Sequence, residues 1–272
     1  MQAYLDDSLN EIELNQCAMF NLFNGLPGVE VHHPEAGSDF FSILTETSLP
    51  IFNNVLHVRL LQDNAKQVVD QFTECCKVKR APAMWWSSSL TAPSDLSAIL
   101  LEYGWRLMDE TPVAMRTDLN LFDDHSSVQV GSEELKIKPV EKAECYDNLA
   151  RLLVEVFELP SSAIKIIVEM FSHPDFDLEK SFRHYLGYLD GKPVAAGSVF
   201  MKDHVAGIYN VGVRPAARKC GFGEVMTRHL LNVAKQSGCT SSILQSSSMA
   251  LRLYQKIGFK SFGSFKIFLL EV

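Results

Sequence analysis

The sequence predicts an α/β fold of two domains, the second built on a mixed, mostly antiparallel sheet flanked by helices. Three observations carry that prediction. A chain of 272 residues is long for one compact core and comfortable for two. From about residue 135 the apolar pattern switches repeatedly between period 2 and period 3.6, beginning β-α-α-β-β-β and closing α-β-α-β. The charge also changes along the chain: residues 1 to 127 hold 7 Lys and Arg against 18 Asp and Glu, whereas residues 128 to 272 hold 18 against 15. Antiparallel hairpins mixed with a crossover exclude a doubly wound sheet.

In the first half, "NVLHVRL" reads as a strand, "QDNAKQVVDQFTECCK" as a helix and "APAMWWSS" as a strand. "PSDLSAILLEYGWRLMDETPVAMRTDL" then runs helix, Gly104, Trp105, strands. That closing pattern echoes "SMALRLYQKIGF" and "KIFLL" at the other end of the chain, so a distant internal repeat is one reading of this half. The polar stretch Leu121 to Leu135, "LFDDHSSVQVGSEEL", reads as the linker, and it places the division near Ser132, with domains over 1–127 and 132–272.

In the second half, "LKIKPV" is a short strand, and in "EKAECYDNLARLLVEVF" Leu149, Leu152, Leu153 and Val156 share one helical face. "SSAIKIIVEMFS" is a second helix with Ser161 or Ser162 available as its cap. "SFRHYLGYLDGKPVAAGSVFMK" is a hairpin turning at Asp190-Gly191, a pair that tolerates positive φ. "VAGIYNVGV" is a strand. "GEVMTRHLLNVAKQSG" is a helix with apolar pairs at 225/226, 230/231 and 233/234, stopped by Gly238. "SSILQ" is a strand, "SMALRLYQKIG" a helix, and "FKSFGSFKIFLLEV" a terminal hairpin or strand pair.

Composition excludes several classes. Hydrophobic residues make up 47% and charged residues 21%, which is a globular composition. No apolar run approaches a membrane span, and the acidic start does not read as a signal peptide. The six cysteines lack zinc or disulfide spacing, so no metal is expected and reduced thiols in a cytoplasm are the simplest account. No long basic stripe invites nucleic acid.

The informative segment is "VGVRPAARKCGFGEVM". A strand ends before Pro215, a helix starts around Gly223, and Arg218 to Gly223 reads R-x-x-G-x-G. The first amides of a helix have no intrahelical acceptor and sit at the positive end of its dipole. Glycines let successive amides converge on one anion. From Val205 to Gly223 there is no acid, while Arg214, Arg218 and Lys219 fall together. Alone, the pattern also fits a tight turn with solvated cations. Walker A and dinucleotide fingerprints are absent.

Taken with "SSSMALRLYQKIGF" downstream, this segment resembles the GNAT superfamily of acyl-CoA-dependent N-acyltransferases, over residues from about 135 to 270. The motif positions are Val211, Val213, Arg218, Gly221, Gly223, Ala250, Leu253, Tyr254, Gly258 and Phe259. The resemblance implies the acyl-CoA N-acyltransferase fold, in which the strand ending at Val213 splays from its parallel neighbour "SSILQ". It implies acetyl-CoA as cofactor. Val211 and Val213 would meet the pantetheine arm, and Arg218, Lys219, Cys220, Gly221, Phe222 and Gly223 the diphosphate. Tyr254 would give a proton to sulfur, and the Val211 N–H would polarise the thioester carbonyl.

Two positions depart from the family pattern. Ser247 stands where the family often has a cofactor-contacting Asn. The strand "VAGIYNVGV" has no carboxylate to serve as base, which leaves Tyr209, Asn210 or His204 for a water relay and Glu169 or His184 from flanking elements. Trp85 and Trp86, on opposite faces of a strand, are core residues or an acceptor wall. Tyr254 on spacing alone is equally a core aromatic. The expected partner is a small-molecule or peptide amine, without nucleic acid or membrane, and a homodimer is compatible with the sequence. A non-catalytic acyl-CoA-binding module is the alternative reading.

Overall fold

The computed structural model describes residues 2–33, 39–123, 135–173 and 181–272; the division expected near Ser132 and most of the expected linker lie outside them. The chain forms two compact units. The first comprises Met1–Met115, Gln245–Leu251 and Ser261–Val272, and the second Arg116–Leu244 and Arg252–Lys260. No helix among the described residues is long and apolar enough to cross a membrane.

The first sheet takes β1 (Val29–His32), β2 (Asp39–Thr45), β3 (Asn54–Arg59), β4 (Ala83–Ser87), β13 (Lys266–Leu270) and β5 (Arg106–Leu107) in that order. Its helices are α1 (Gln2–Asn21), α2 (Ala65–Lys79) and α3 (Leu96–Glu102). The second sheet runs β12 (Lys260–Ser264), β6 (Val113–Asp118), β11 (Ser241–Ser246), β10 (Val205–Val213), β9 (Lys192–Lys202), β8 (Phe182–Leu189) and β7 (Lys136–Pro139). Its helices are α4 (Ala143–Val156), α5 (Ala163–Phe171), α6 (Phe222–Gln236) and α7 (Leu251–Ile257).

These two sheets revise the sequence expectation in two respects. The units are not contiguous like the segments 1–127 and 132–272, since 245–251 and 261–272 group with the first, and in the sheets β6 joins the second and β13 the first. For the same reason β12 and β13 are not a terminal hairpin; they belong to different sheets. A strand's partners are set by long-range pairing, which no local pattern encodes. Apart from β7 at its edge, the second sheet repeats the strand order of the first. Helix, glycine, aromatic and strand recur as α3-Gly104-Trp105-β5 and α7-Gly258-Phe259-β12.

Helix α1 carries no legible periodicity because its buried positions include Ser8, Glu13, Asn15 and Gln16 beside Leu9 and Ile12. In the first core Trp85 and Trp105 meet edge to face, and the Trp105 Nε1–H donates to Thr73 Oγ1 at 2.9 Å. Phe268 and Leu270 of β13 fill the same cluster. Each such side chain contributes on the order of 1.5–3 kcal/mol through burial.

Two glycines bring helices close to the second sheet. A Cβ on Gly197 of β9 would lie 2.8 Å from Leu230 Cδ1 of α6, and one on Gly212 of β10 would lie 2.7 Å from Val156 Cγ1 of α4. By contrast, a Cβ on Gly223 would meet only ordinary contacts, at 3.5 Å from Leu253 and 3.8 Å from Val213. Gly212→Ala should therefore lower stability by about 1–3 kcal/mol through overpacking. Gly223→Ala should lose none. Urea denaturation of the two variants beside the wild type checks the contrast.

Candidate active site

Strand β10 leaves its parallel neighbour partway along. The register with β11 runs Val205↔Ser241, Ala206↔Ser242 and Gly207↔Ile243 and then stops, although β10 continues to Val213. On its other side β10 pairs with β9 through Tyr209↔Ser198 and resumes at Gly212↔Ala196. Two residues, Asn210 and Val211, thus stand opposite Gly197 alone. This is a β-bulge, and Asn210 takes the left-handed φ of 55° that it requires. Neither register gives Asn210 or Val211 a partner.

Beyond Val213 the chain makes a short 3-10 turn at Pro215–Ala217 and enters α6 at Phe222. Lys219 (φ 64°) and Gly221 (φ 81°) are both left-handed, which curls the backbone just ahead of the helix. The Ala217 and Arg218 amides bond back to Arg214 and Pro215, and those of Glu224 and Val225 to Gly221. Between them the N–H groups of Lys219, Cys220, Gly221, Phe222 and Gly223 have no acceptor among the described residues. Successive main-chain donors at a helix start are an arrangement suited to an anion. Arg218 is exposed, with its Nε–H donating to the Val213 carbonyl at 3.2 Å, and Arg214 pairs with Glu155 at 2.8 Å.

Helix α7 packs against this turn through Leu253 beside Gly223. Glu224, in the first turn of α6, binds Arg228 at 3.1 Å and Lys256 of α7 at 2.6 Å, so its charge is neutralised. Burial would raise its carboxyl, but the Lys256 and Arg228 hydrogen bonds outweigh that and hold it below its ordinary 4.5. Tyr254 of α7 is buried, edge-on to Phe259, and its phenol is pushed up to about 12 by desolvation. It stays protonated throughout the physiological range.

The remaining sequence candidates separate cleanly. Val211 and Val213 lie on the diverging part of β10 and Arg218 to Gly223 in the turn. Ser247 falls in Gln245–Leu251, which belongs to the first compact unit. His204 is exposed at the far end of β10, where its carbonyl accepts from Thr240 and Ser241. Glu169 is a surface residue paired with Lys165 at 3.5 Å. Tyr209 sits edge-on to Phe182. Asn210 and His184 prove to be joined, through Ser198. Burial lowers His184 to about 3, so it is a neutral imidazole and a poor base. Trp85 is fully buried, and Trp86 is half-buried with its Nε1–H on Asn54 at 3.0 Å, so both pack the first unit. Ser198 and Glu224 were not foreseen; the latter's i,i+4 spacing to Arg228 was the available signal.

The first unit has a comparable divergence that it closes itself. Strand β3 pairs with β4 only at Asn54↔Met84 and Val55↔Trp85. Ala92 then returns alongside β3, with its N–H donating to the Val58 carbonyl at 3.1 Å and its carbonyl accepting from Leu60 at 3.0 Å. No R-x-x-G-x-G turn stands between β3 and α2.

Residues 148–259 match the acetyltransferase (GNAT) family. The C-terminal half carries a GNAT domain. Among solved structures, the chain is similar to a GCN5-related N-acetyltransferase from Kribbella flavida, at 14% identity and a TM-score of 0.68, over 94% of this chain and 93% of that one. It is also similar to a tandem GNAT protein from the clavulanic acid biosynthesis pathway, at 14% identity and a TM-score of 0.64, over 94% and 87% of the two chains. These identities speak for the fold alone. The uncharacterized protein YyaT of Bacillus subtilis (strain 168) is 30% identical over 87 residues, which is 32% of this chain and 59% of that protein. The GNAT match thus runs from within α4 to Phe259 and contains the bulge, the turn and Tyr254.

Within the GNAT domain Glu224 ties the turn to α7. Glu224→Gln should cost about 1–3 kcal/mol at neutral pH, because Arg228 loses its buried partner. A depressed carboxyl stabilises the fold above its unfolded value and ceases to as pH falls through its folded value. The gap between the wild type and the variant in thermal melts should therefore be full at pH 7 and narrow below about pH 4.5.

Proposed function

We propose that the protein is an acetyl-CoA-dependent N-acetyltransferase acting on a primary amine of a small molecule or peptide. The observation that carries this reading is the run of five uncommitted amides, Lys219 to Gly223, at the end of a strand that has left its neighbour. The residues present suit the group: an acid-free segment with Arg214, Arg218 and Lys219 around main-chain donors, and Val211 and Val213 on the length of strand that β11 no longer pairs, for an extended arm. Acetyl-CoA would supply an acetyl thioester.

The residues then divide the work. The Val211 N–H donates to the carbonyl oxygen as negative charge builds on it. With the thioester bound, an amine nitrogen would bond to the carbonyl carbon as the carbon–sulfur bond breaks, and Tyr254 would give its proton to the departing sulfur. A phenol held in the neutral form by burial suits that donation. The amine's surplus proton leaves to solvent, and an α-amine, with pKa near 8, needs less help than a lysine. All six cysteines are free, as a reducing cytoplasm would keep them. A second reading, a non-catalytic acyl-CoA-binding module, is favoured by two observations: β10 has no carboxylate, and His184 is neutral.

Binding and turnover separate the two readings. CoA at a hundredfold excess over its Kd should stabilise the wild type by about 2.7 kcal/mol in thermal melts. Gly221→Val, which cannot take the left-handed turn, should abolish that gain. With acetyl-CoA and an amine panel, Tyr254→Phe should slow thiol release by on the order of 100-fold while CoA binding stays intact. Binding without turnover on any amine would leave the binding-module reading. No stabilisation by CoA would remove both.

A further inference from the structure

The β10 bulge is fastened from behind by a buried hydrogen-bond chain that crosses three strands. The Asn210 Nδ2–H donates to Ser198 Oγ at 3.2 Å, and Ser198 Oγ lies 2.7 Å from His184 Nδ1. Ser198 is fully buried and His184 is 2% exposed. The register explains the alignment, because Ser198 of β9 stands opposite His184 on one side and Tyr209 on the other. An amide nitrogen only donates, so the Ser198 oxygen accepts from Asn210, and its second lone pair or its own hydrogen meets His184 Nδ1. The imidazole ring is fixed by stacking on Phe171, at 4.5 Å and 17°, and by Phe182.

The need for such a chain arises from the backbone. A non-glycine residue rarely adopts positive φ, and Asn210 does so inside a strand, at the residue that aims the next amide. The first unit repeats the device with different residues. There, His57 (φ 51°) occupies the bulge of β3 against β2, and its Nδ1 lies 3.2 Å from Oε2 of the buried Glu13. Each unit thus holds a strained, non-glycine bulge residue by its own side chain.

We propose that Ser198 and His184 are positioning residues that keep Asn210 left-handed, so that the Val211 N–H is aimed at an acyl carbonyl and the site prefers a thioester over the same carrier without one. This rests on the acetyl-CoA reading above. The side chains touch no reacting atom; they act through the backbone.

Calorimetric titrations with acetyl-CoA and with S-ethyl-CoA, a thioether lacking the carbonyl, test it. The wild type should bind acetyl-CoA about fivefold more tightly, the worth of one hydrogen bond of about 1 kcal/mol. Asn210→Ala and Ser198→Ala should each bring the ratio to one and leave S-ethyl-CoA affinity within about twofold. Asn210→Gly should keep the ratio, because glycine holds positive φ unaided. In the Asn210→Gly background, Ser198→Ala should then change nothing. Should Ser198→Ala fail to fold alone, the comparison of Asn210→Ala with Asn210→Gly, both at a half-buried position, still decides. A preserved ratio in Asn210→Ala, or an equal loss in Asn210→Gly, would overturn the proposal. A wild type that binds both compounds equally overturns this inference alone. A wild type that binds neither overturns the acyl-CoA reading and this inference with it.

Discussion

A strand that departs from its neighbour must satisfy its N–H and C=O groups by other means, since buried main-chain groups without partners are costly. That constraint organises both units. In the first, β3 departs from β4 after Val55 and the chain itself returns, with Ala92 bonding to Val58 and Leu60. In the second, β10 departs from β11 after Gly207, and its far end feeds directly into a turn of uncommitted amides. One architecture thereby yields a self-closed sheet and one whose diverging strand is left unpaired by the chain past it. The difference lies in the chain just past the parallel pair, not in the strand order, which the two sheets share.

Electrostatics reinforces the receptive site. The protein carries a net charge of −8, yet Val205 to Gly223 contains no acid. Glu224, the first acid after the turn, is bound by Arg228 and Lys256, so it does not oppose an anion held by the helix start. The same Lys256 belongs to the helix that bears Tyr254. Cradle and phenol are therefore linked by one buried carboxylate. Burial keeps the Tyr254 phenol protonated and the His184 ring neutral, because a desolvated site disfavours the phenolate and the imidazolium alike.

Much of this is legible in the sequence. The 3.6-residue spacing of α4 and α6, the Asp190-Gly191 turn with φ of 50° and 76°, and the helix-stopping Gly238 are local signals, and local structure obeys them. So does the R-x-x-G-x-G turn, apart from a helix start one residue earlier than expected. Helix α1 is hidden because it buries Glu13 and Asn15 among its apolar residues. The placement of β6 and β13 is hidden for a different reason. Both are short strands whose partners are decided by the whole topology. The Asn210–Ser198–His184 chain joins residues 12 and 14 positions apart through strand register, and a serine in a strand announces nothing. Local chemistry is readable; pairing is not.

The central claim is that the amides of Lys219 to Gly223 form an anion cradle. Backbone NMR of the ¹⁵N-labelled protein, titrated with CoA, reads those amides directly. The account predicts that their five proton resonances move downfield together and saturate at one equivalent, while the amides of Ser88 to Ala92 in the first unit stay in place. Unmoved resonances at 219 to 223, with saturable shifts at some other segment, would contradict it.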